Sequence, residues 1–124
     1  MPSFHADFRP RLATERDLPV LREIMRLAIE QLQAAFLSGA EIEASKQVMG
    51  LDSQLIADRT YFVVEKGGRI AGCGGWSRRA TLYGGDHSTG LREPRLLDPR
   101  TEAARVRAMY THPDYARRGV GRLI

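Results

Sequence analysis

The sequence has one cysteine, Cys73, so it can form no internal disulfide and build no cysteine-based metal cluster. Its three histidines, His5, His87 and His112, lie far apart, and no metal site is expected. No apolar run approaches the roughly 20 residues of a membrane span. The first residues, with His5, Asp7 and Arg9, lack the basic-then-apolar pattern of a signal peptide. A cytoplasmic protein without a membrane partner is therefore expected. Lysine is almost missing: of 19 basic residues only Lys46 and Lys66 are lysines, and the net charge is +4. Such a balance attracts anions. With aromatics at only 7%, however, the arginines run from Arg9 to Arg122 without the aromatic interleaving of a nucleic-acid surface. Most of them read as a solvated face, and no nucleic-acid partner is expected.

What is present suits one domain over residues 1–124, with 43% hydrophobic and 27% charged residues. Phe8–Ala13 reads as a strand that Pro10 confines to a sheet edge. Asp17 is placed to cap a helix whose first turn tolerates Pro19. Leu18, Leu21, Met25, Ala28 and Leu32 then fall at helical spacing, with Ile29 beside them, as a core-facing stripe. Phe36–Gly39 breaks this helix, and a more polar one over Ala40–Met49 is closed by Gly50. Tyr61–Glu65 and Arg69–Trp76 read as strands joined by the two-residue turn Gly67-Gly68.

Gly72, Gly74 and Gly75 weaken the second of these strands unless a bulge, another backbone or a ligand requires them. Cys73 between them is a small core residue or an acyl-carrying nucleophile. The second role lacks a nearby histidine to form the thiolate. The connection over residues 77–102 is long for a strand-to-strand link. It carries Asp86 beside His87, a base with an orienting partner if their side chains converge, which neighbours in a loop seldom do.

From residue 104 the pattern sharpens. Ala104, Val106, Ala108 and Tyr110 alternate with Arg105, Arg107, Met109 and Thr111, the period of a strand that buries the first set. Pro113 ends it. Gly119-Val120-Gly121 lets the backbone approach a ligand closely, and Val120–Ile124 reads as the first turn of a helix, whose unpaired N–H groups favour an anion. Arg117, Arg118 and Arg122 add charge. The spacing matches neither the dinucleotide fingerprint nor the P-loop, and a lone Gly-x-Gly equally describes an ordinary turn.

Taken whole, AARVRAMYTHPDYARRGVGRLI resembles the strand, loop and helix start that hold acetyl-CoA in the GCN5-related N-acetyltransferase (GNAT) superfamily, and the order of elements before it is similar throughout. The resemblance implies an α/β (α+β) fold with a mixed, mostly antiparallel sheet flanked by helices. It implies acetyl-CoA as co-substrate and no metal. By position, Arg117, Arg118, Gly119, Val120, Gly121 and Arg122 would hold the pyrophosphate, and Met109, Tyr110 and Thr111 the pantetheine arm. A main-chain N–H at a bulge near Met109 or Tyr110 would face the thioester.

The sequence departs from the family's pattern at Ala116, where Gln or Arg is usual, and at Thr111, where Val is. Many relatives place a glutamate base on this strand; here Arg105 and Arg107 stand there, and the nearest carboxylate is Glu102. The family's tyrosine acid would fall beyond Ile124, so a form incomplete at its C-terminus is expected. The segment around Gln31, Gln33 and Phe36 would border the acceptor. Two functions stay open: acetyl transfer to a primary amine of a small molecule or protein by direct attack in a ternary complex, or a non-catalytic acyl-CoA-binding or regulatory domain. For residues 77–102 the choices are a lid, a homodimer contact or a solvated loop.

Overall fold

A computed structural model describes residues 8–32, 38–48, 51–80 and 95–124. His5, Asp7, Gln33, Phe36, Met49, Gly50, Asp86, His87 and the middle of the 77–102 connection lie outside the described residues. Four strands form one sheet in the order β1 (Arg9–Leu12), β2 (Tyr61–Lys66), β3 (Arg69–Ser77) and β4 (Arg105–Thr111). Every neighbouring pair is antiparallel. Pro10 sits on β1, an edge strand, where its missing donor costs least. Lys66 pairs with Arg69, and Gly67 and Gly68 close the hairpin with φ of 57° and 80°. Both values belong to the type I′ turn that side chains resist.

Asp17 does begin a helix, but its carboxylate reaches backwards. It accepts from the Thr14 N–H at 2.8 Å and binds Arg11 through both oxygens at 2.8 Å. Helix α1 (Leu18–Leu27) follows, with Leu21, Ile24 and Met25 buried. It then widens into a π-type turn over Ala28–Leu32. That widening breaks the 3.6-residue period, so Leu32, expected in the apolar stripe, ends 37% exposed. Helix α2 (Gly39–Val48) starts with a capping box, Ser38 Oγ accepting from Glu41 N–H at 3.2 Å and Glu41 from Ser38 N–H at 2.9 Å. A short helix the sequence did not announce, α3 (Ser53–Ala57), is capped by Asp52, which accepts from Gln54 N–H at 3.1 Å.

The sheet carries apolar packing on both faces. Leu21, Ile24, Leu55, Val63, Cys73 and Tyr110 share the face under α1 and α3. Phe8, Val64, Ala71, Tyr115 and Val120 pack on the other. Neighbours Val63 and Val64 are both fully buried, as a strand covered on both sides requires.

Strand β4 departs from the simple alternation expected of it. Arg107 and Tyr110 point inward, while Ala104 is exposed and Val106 is 74% exposed. The cause is a bulge: Gly75 pairs with Arg107 and Cys73 with Tyr110, leaving Ala108 and Met109 opposite Gly74 alone. One extra residue reverses which face the rest of a strand presents. Each glycine of β3 also admits a close neighbour. A Cβ on Gly72 would stand 2.5 Å from Val120 Cγ1, one on Gly74 would strike Met109 Sδ, and one on Gly75 the Thr60 carbonyl.

Beyond β3 the two described ends of the connection pair with each other. Ala80 N–H donates to the Arg95 carbonyl at 2.9 Å and Leu97 N–H to that of Arg78 at 2.7 Å. Among the described residues no helix is long and apolar enough to cross a membrane, and no group of three or more His, Cys, Asp or Glu could hold a metal ion.

Candidate cofactor-binding site

The loop after β4 is fixed at two buried points. His112 extends the pairing by donating its N–H to the Ala71 carbonyl at 2.8 Å. Its Nδ1 accepts from Asp114 N–H at 3.1 Å, capping a 3-10 turn over Pro113–Tyr115. The Tyr115 ring is buried edge-on to Phe8, with centroids 6.1 Å apart. Val120, 2% exposed, fills the space that Gly72 leaves empty. Between these anchors the backbone turns through left-handed conformations at Arg117 (φ 62°) and Gly119 (φ 82°).

The helix start expected after Gly119 is a 3-10 turn over Val120–Leu123. Its bonds run Arg122 N–H to Gly119 carbonyl at 3.2 Å and Ile124 N–H to Gly121 carbonyl at 3.4 Å. A stretch this short closes i→i+3 rings more readily than a full α-turn. Gly121 is exposed, and a Cβ there would meet nothing within 4 Å, so the approach to its backbone is open.

Arg117, Arg118 and Arg122 are exposed around this turn. Several arginines elsewhere are matched to carboxylates: Arg11 to Asp17, Arg26 to Glu23, Arg79 to Asp58, Arg95 to Glu102 and Arg107 to Asp52. Among the described residues, none of the three loop arginines forms an ion pair. Arg118 instead lies 5.9 Å over the Tyr115 ring. The result is three positive side chains around a backbone that turns through two left-handed residues.

The expected pantetheine residues lie at the bulge of β4, the last strand of the described sheet. Met109 is 42% exposed and covers Gly74. Tyr110 is buried opposite Cys73, and Thr111 pairs with Gly72. Glu102 is placed elsewhere, in the turn before β4. Its carboxylate binds Arg95 at 3.1 and 3.3 Å and accepts from Asp98 N–H at 3.1 Å. The Arg95 guanidinium foremost, then that N–H, hold its pKa below the ordinary glutamate value. A carboxylate so stabilised is a weak proton acceptor.

Sequence reasoning missed three residues that organise this site. Tyr61, read only as a strand residue, donates its hydroxyl to the Ala108 carbonyl at 2.6 Å, tying β2 to the bulge. Arg107 and Asp52 form a buried ion pair under it. The Asp52-Ser53 step is a helix-cap signal that could have located α3; the other two contacts span 47 and 55 residues and leave no local mark. A cavity of about 410 Å³ opens between α1 and the β2–β3 hairpin, with Arg11, Asp17, Glu23, Arg69 and His112 in its wall. It contains none of the residues expected to bind the cofactor.

The family model of the acetyltransferase (GNAT) family matches residues 21–124. No match was found among curated proteins. Among solved structures the chain is similar to the PaiA N-acetyltransferase of Thermoplasma acidophilum in complex with coenzyme A, at 13% identity and a TM-score of 0.57, covering 93% of this chain and 65% of that one. A GNAT family acetyltransferase of Brucella melitensis in complex with acetyl-CoA matches at 17% identity and 0.53, covering 94% and 62%. A GCN5-related N-acetyltransferase of Rhodopseudomonas palustris matches at 23% and 0.53, covering 93% and 59%. The chain thus spans less than two thirds of the length of each of these structures. At such identities the structures speak for the fold, and the family model, covering most of the sequence, carries the assignment: the chain belongs to the GNAT family of acetyltransferases.

Proposed function

We propose that the chain is an acetyl-CoA-dependent N-acetyltransferase, taking the acetyl group of the thioester to a primary amine of a small molecule or protein by direct attack within a ternary complex. The carrying observation is the loop itself. Three arginines that form no ion pair among the described residues surround Gly119-Val120-Gly121 at a backbone turn anchored by Tyr115 and Val120. In this reading the loop from Arg117 to Arg122 holds the pyrophosphate, with the N–H groups of the turn supplying direction and the arginines charge. Met109, Tyr110 and Thr111 line the pantetheine arm through their main chain, and the Met109 N–H faces the thioester oxygen, where negative charge develops during attack. Holding both substrates together supplies much of the remaining rate. The coenzyme complexes of the Thermoplasma and Brucella proteins support coenzyme A as the ligand class.

One observation favours a second reading, a non-catalytic acyl-CoA-binding or regulatory domain. Glu102, the candidate base, is engaged by Arg95 and Asp98, and β4 offers arginines where an acid would stand. For Glu102 to serve as the base, its pair with Arg95 must first open.

Calorimetric titration of acetyl-CoA, with and without Gly121→Trp, tests the site. A Cβ at Gly121 meets nothing within 4 Å, so Trp there is expected to keep the fold, checked by circular dichroism, and to fill the approach to the loop. Micromolar binding that disappears in the variant is expected. Binding that survives it, or no binding by the unaltered chain, would sink the proposal. Turnover of a panel of amines then separates the enzyme from the binding domain.

A further inference from the structure

We propose that Tyr61 is a positioning residue of the acetyl-transfer site, orienting the peptide between Ala108 and Met109 so that the Met109 N–H points outward at the thioester. The inference rests on the reading of the site given under Proposed function and adds a residue from the far side of β3.

The peptide in question is held in an unusual state. Ala108 carries φ of 50°, left-handed backbone that a residue with a Cβ avoids and that persists only where its surroundings impose it. Two side chains on the buried side of the sheet do so. Arg107, immediately before it, is held by Asp52 at the cap of α3. Tyr61, 1% exposed on β2, reaches past Cys73 to donate its hydroxyl to the Ala108 carbonyl at 2.6 Å. Among the described residues no peptide is cis, so the carbonyl and the N–H of this unit point in opposite directions. Fixing the carbonyl toward Tyr61 therefore fixes the Met109 N–H away from it, at a residue that is 42% exposed. Burial pushes the Tyr61 phenol well above its usual pKa, which keeps the hydroxyl a donor. A donor aimed in advance stabilises developing charge without reorganising at the moment of reaction.

The test compares the unaltered protein with Tyr61→Phe, using coenzyme A and acetyl-CoA labelled with ¹³C at the acetyl carbonyl. Tyr61→Phe removes the hydroxyl and keeps the ring, and circular dichroism checks its fold. Infrared difference spectra are expected to show the thioester carbonyl moved to lower frequency on binding to the unaltered protein. Most of that displacement is expected to be lost in Tyr61→Phe, while the affinity for coenzyme A, which lacks the acetyl group, stays within about twofold, well inside the change that loss of a hydrogen bond to the ligand would bring. A carbonyl band unchanged by the substitution would overturn the proposal, as would equal loss of affinity for both ligands, the mark of a merely structural role. Should the variant fail to fold, the unaltered protein decides. Its Met109 amide proton resonance must move further downfield with acetyl-CoA than with coenzyme A, and an equal response to both overturns the inference. Failure of the unaltered protein to bind either ligand removes the functional reading as well, whereas the other negative outcomes leave that reading standing.

Discussion

Arg107 and Asp52 meet at 3.5 Å with each side chain only 3% exposed, joining the last residue before the β4 bulge to the cap of α3. A buried pair of this kind adds little over a well-packed apolar substitute, but losing one member strands the other's charge. Asp52→Asn, which preserves shape and an acceptor for Gln54, is expected to cost about 3 kcal/mol in urea denaturation. The double variant Asp52→Asn with Arg107→Met is expected to recover at least about 1 kcal/mol of that. A single variant as stable as the unaltered protein would show that the pair carries no structural role.

Gly74 and Gly75 are adjacent in sequence and face obstacles of different stiffness. A Cβ on Gly74 meets the flexible Met109 side chain, which can turn aside, and stands 3.3 Å from the Met109 Cα; one on Gly75 meets the Thr60 carbonyl and the Tyr61 Cα, at 2.9 Å from the latter. Backbone on a central strand cannot yield without breaking the ladder. Gly75→Ala is therefore expected to destabilise by about 3 kcal/mol or more, and Gly74→Ala by about 1 kcal/mol or less. Denaturation midpoints measured side by side check the order, and a reversed order would contradict the packing described.

The difference between these glycines illustrates what the sequence could and could not disclose. Gly67-Gly68 and Gly119-Val120-Gly121 were legible because the reason for each lies in its own backbone: positive φ at Gly67, Gly68 and Gly119, and an open approach at Gly121. Pro10 marked its edge strand by the same local logic. On β4 a bulge near Met109 or Tyr110 was implied by the family resemblance alone, and the residues themselves did not disclose the inner face it sets. The bulge is made by Ala108 with φ 50°, and an alanine between Arg107 and Met109 carries no sign of a left-handed turn. Arg107 consequently reads as solvated when it is buried against Asp52, 55 residues away in sequence. The candidate cofactor loop could be read residue by residue from its own stretch of sequence, whereas the contacts that hold the bulge depend on chain segments brought together only by the sheet.

Two aspartates link stability to pH in the same direction. Asp58 binds Arg79 through both oxygens, at 2.7 and 2.8 Å, and Asp17 binds Arg11. The arginine in each case holds the carboxyl below its ordinary value. A folded pKa lower than the unfolded one, about 3.9 for Asp, contributes stability above that value and loses it as pH falls through the folded one. Urea midpoints are expected to hold steady from neutral pH to about 5 and to fall below about 4. Asp58→Asn should start lower at neutral pH and decline less steeply, the two curves converging in acid. Parallel curves would assign the acid sensitivity to other groups.

Cys73 is expected to be inert while the protein is folded. It is fully buried, and burial pushes its thiol up to about 12, with the Tyr61 hydroxyl and the Tyr110 backbone offsetting part of the effect. Near pH 8 the thiolate population is then on the order of one in ten thousand, too small for a nucleophile even before access is considered. Labelling with a chromogenic disulfide at that pH should proceed no faster than the chain opens, and should accelerate with urea in step with the loss of structure. After incubation with acetyl-CoA, mass spectrometry should find no acetyl group on this residue. Rapid labelling of the native protein, or an acetyl-cysteine adduct, would revive Cys73 as an acyl carrier and replace direct attack by the amine with a two-step transfer.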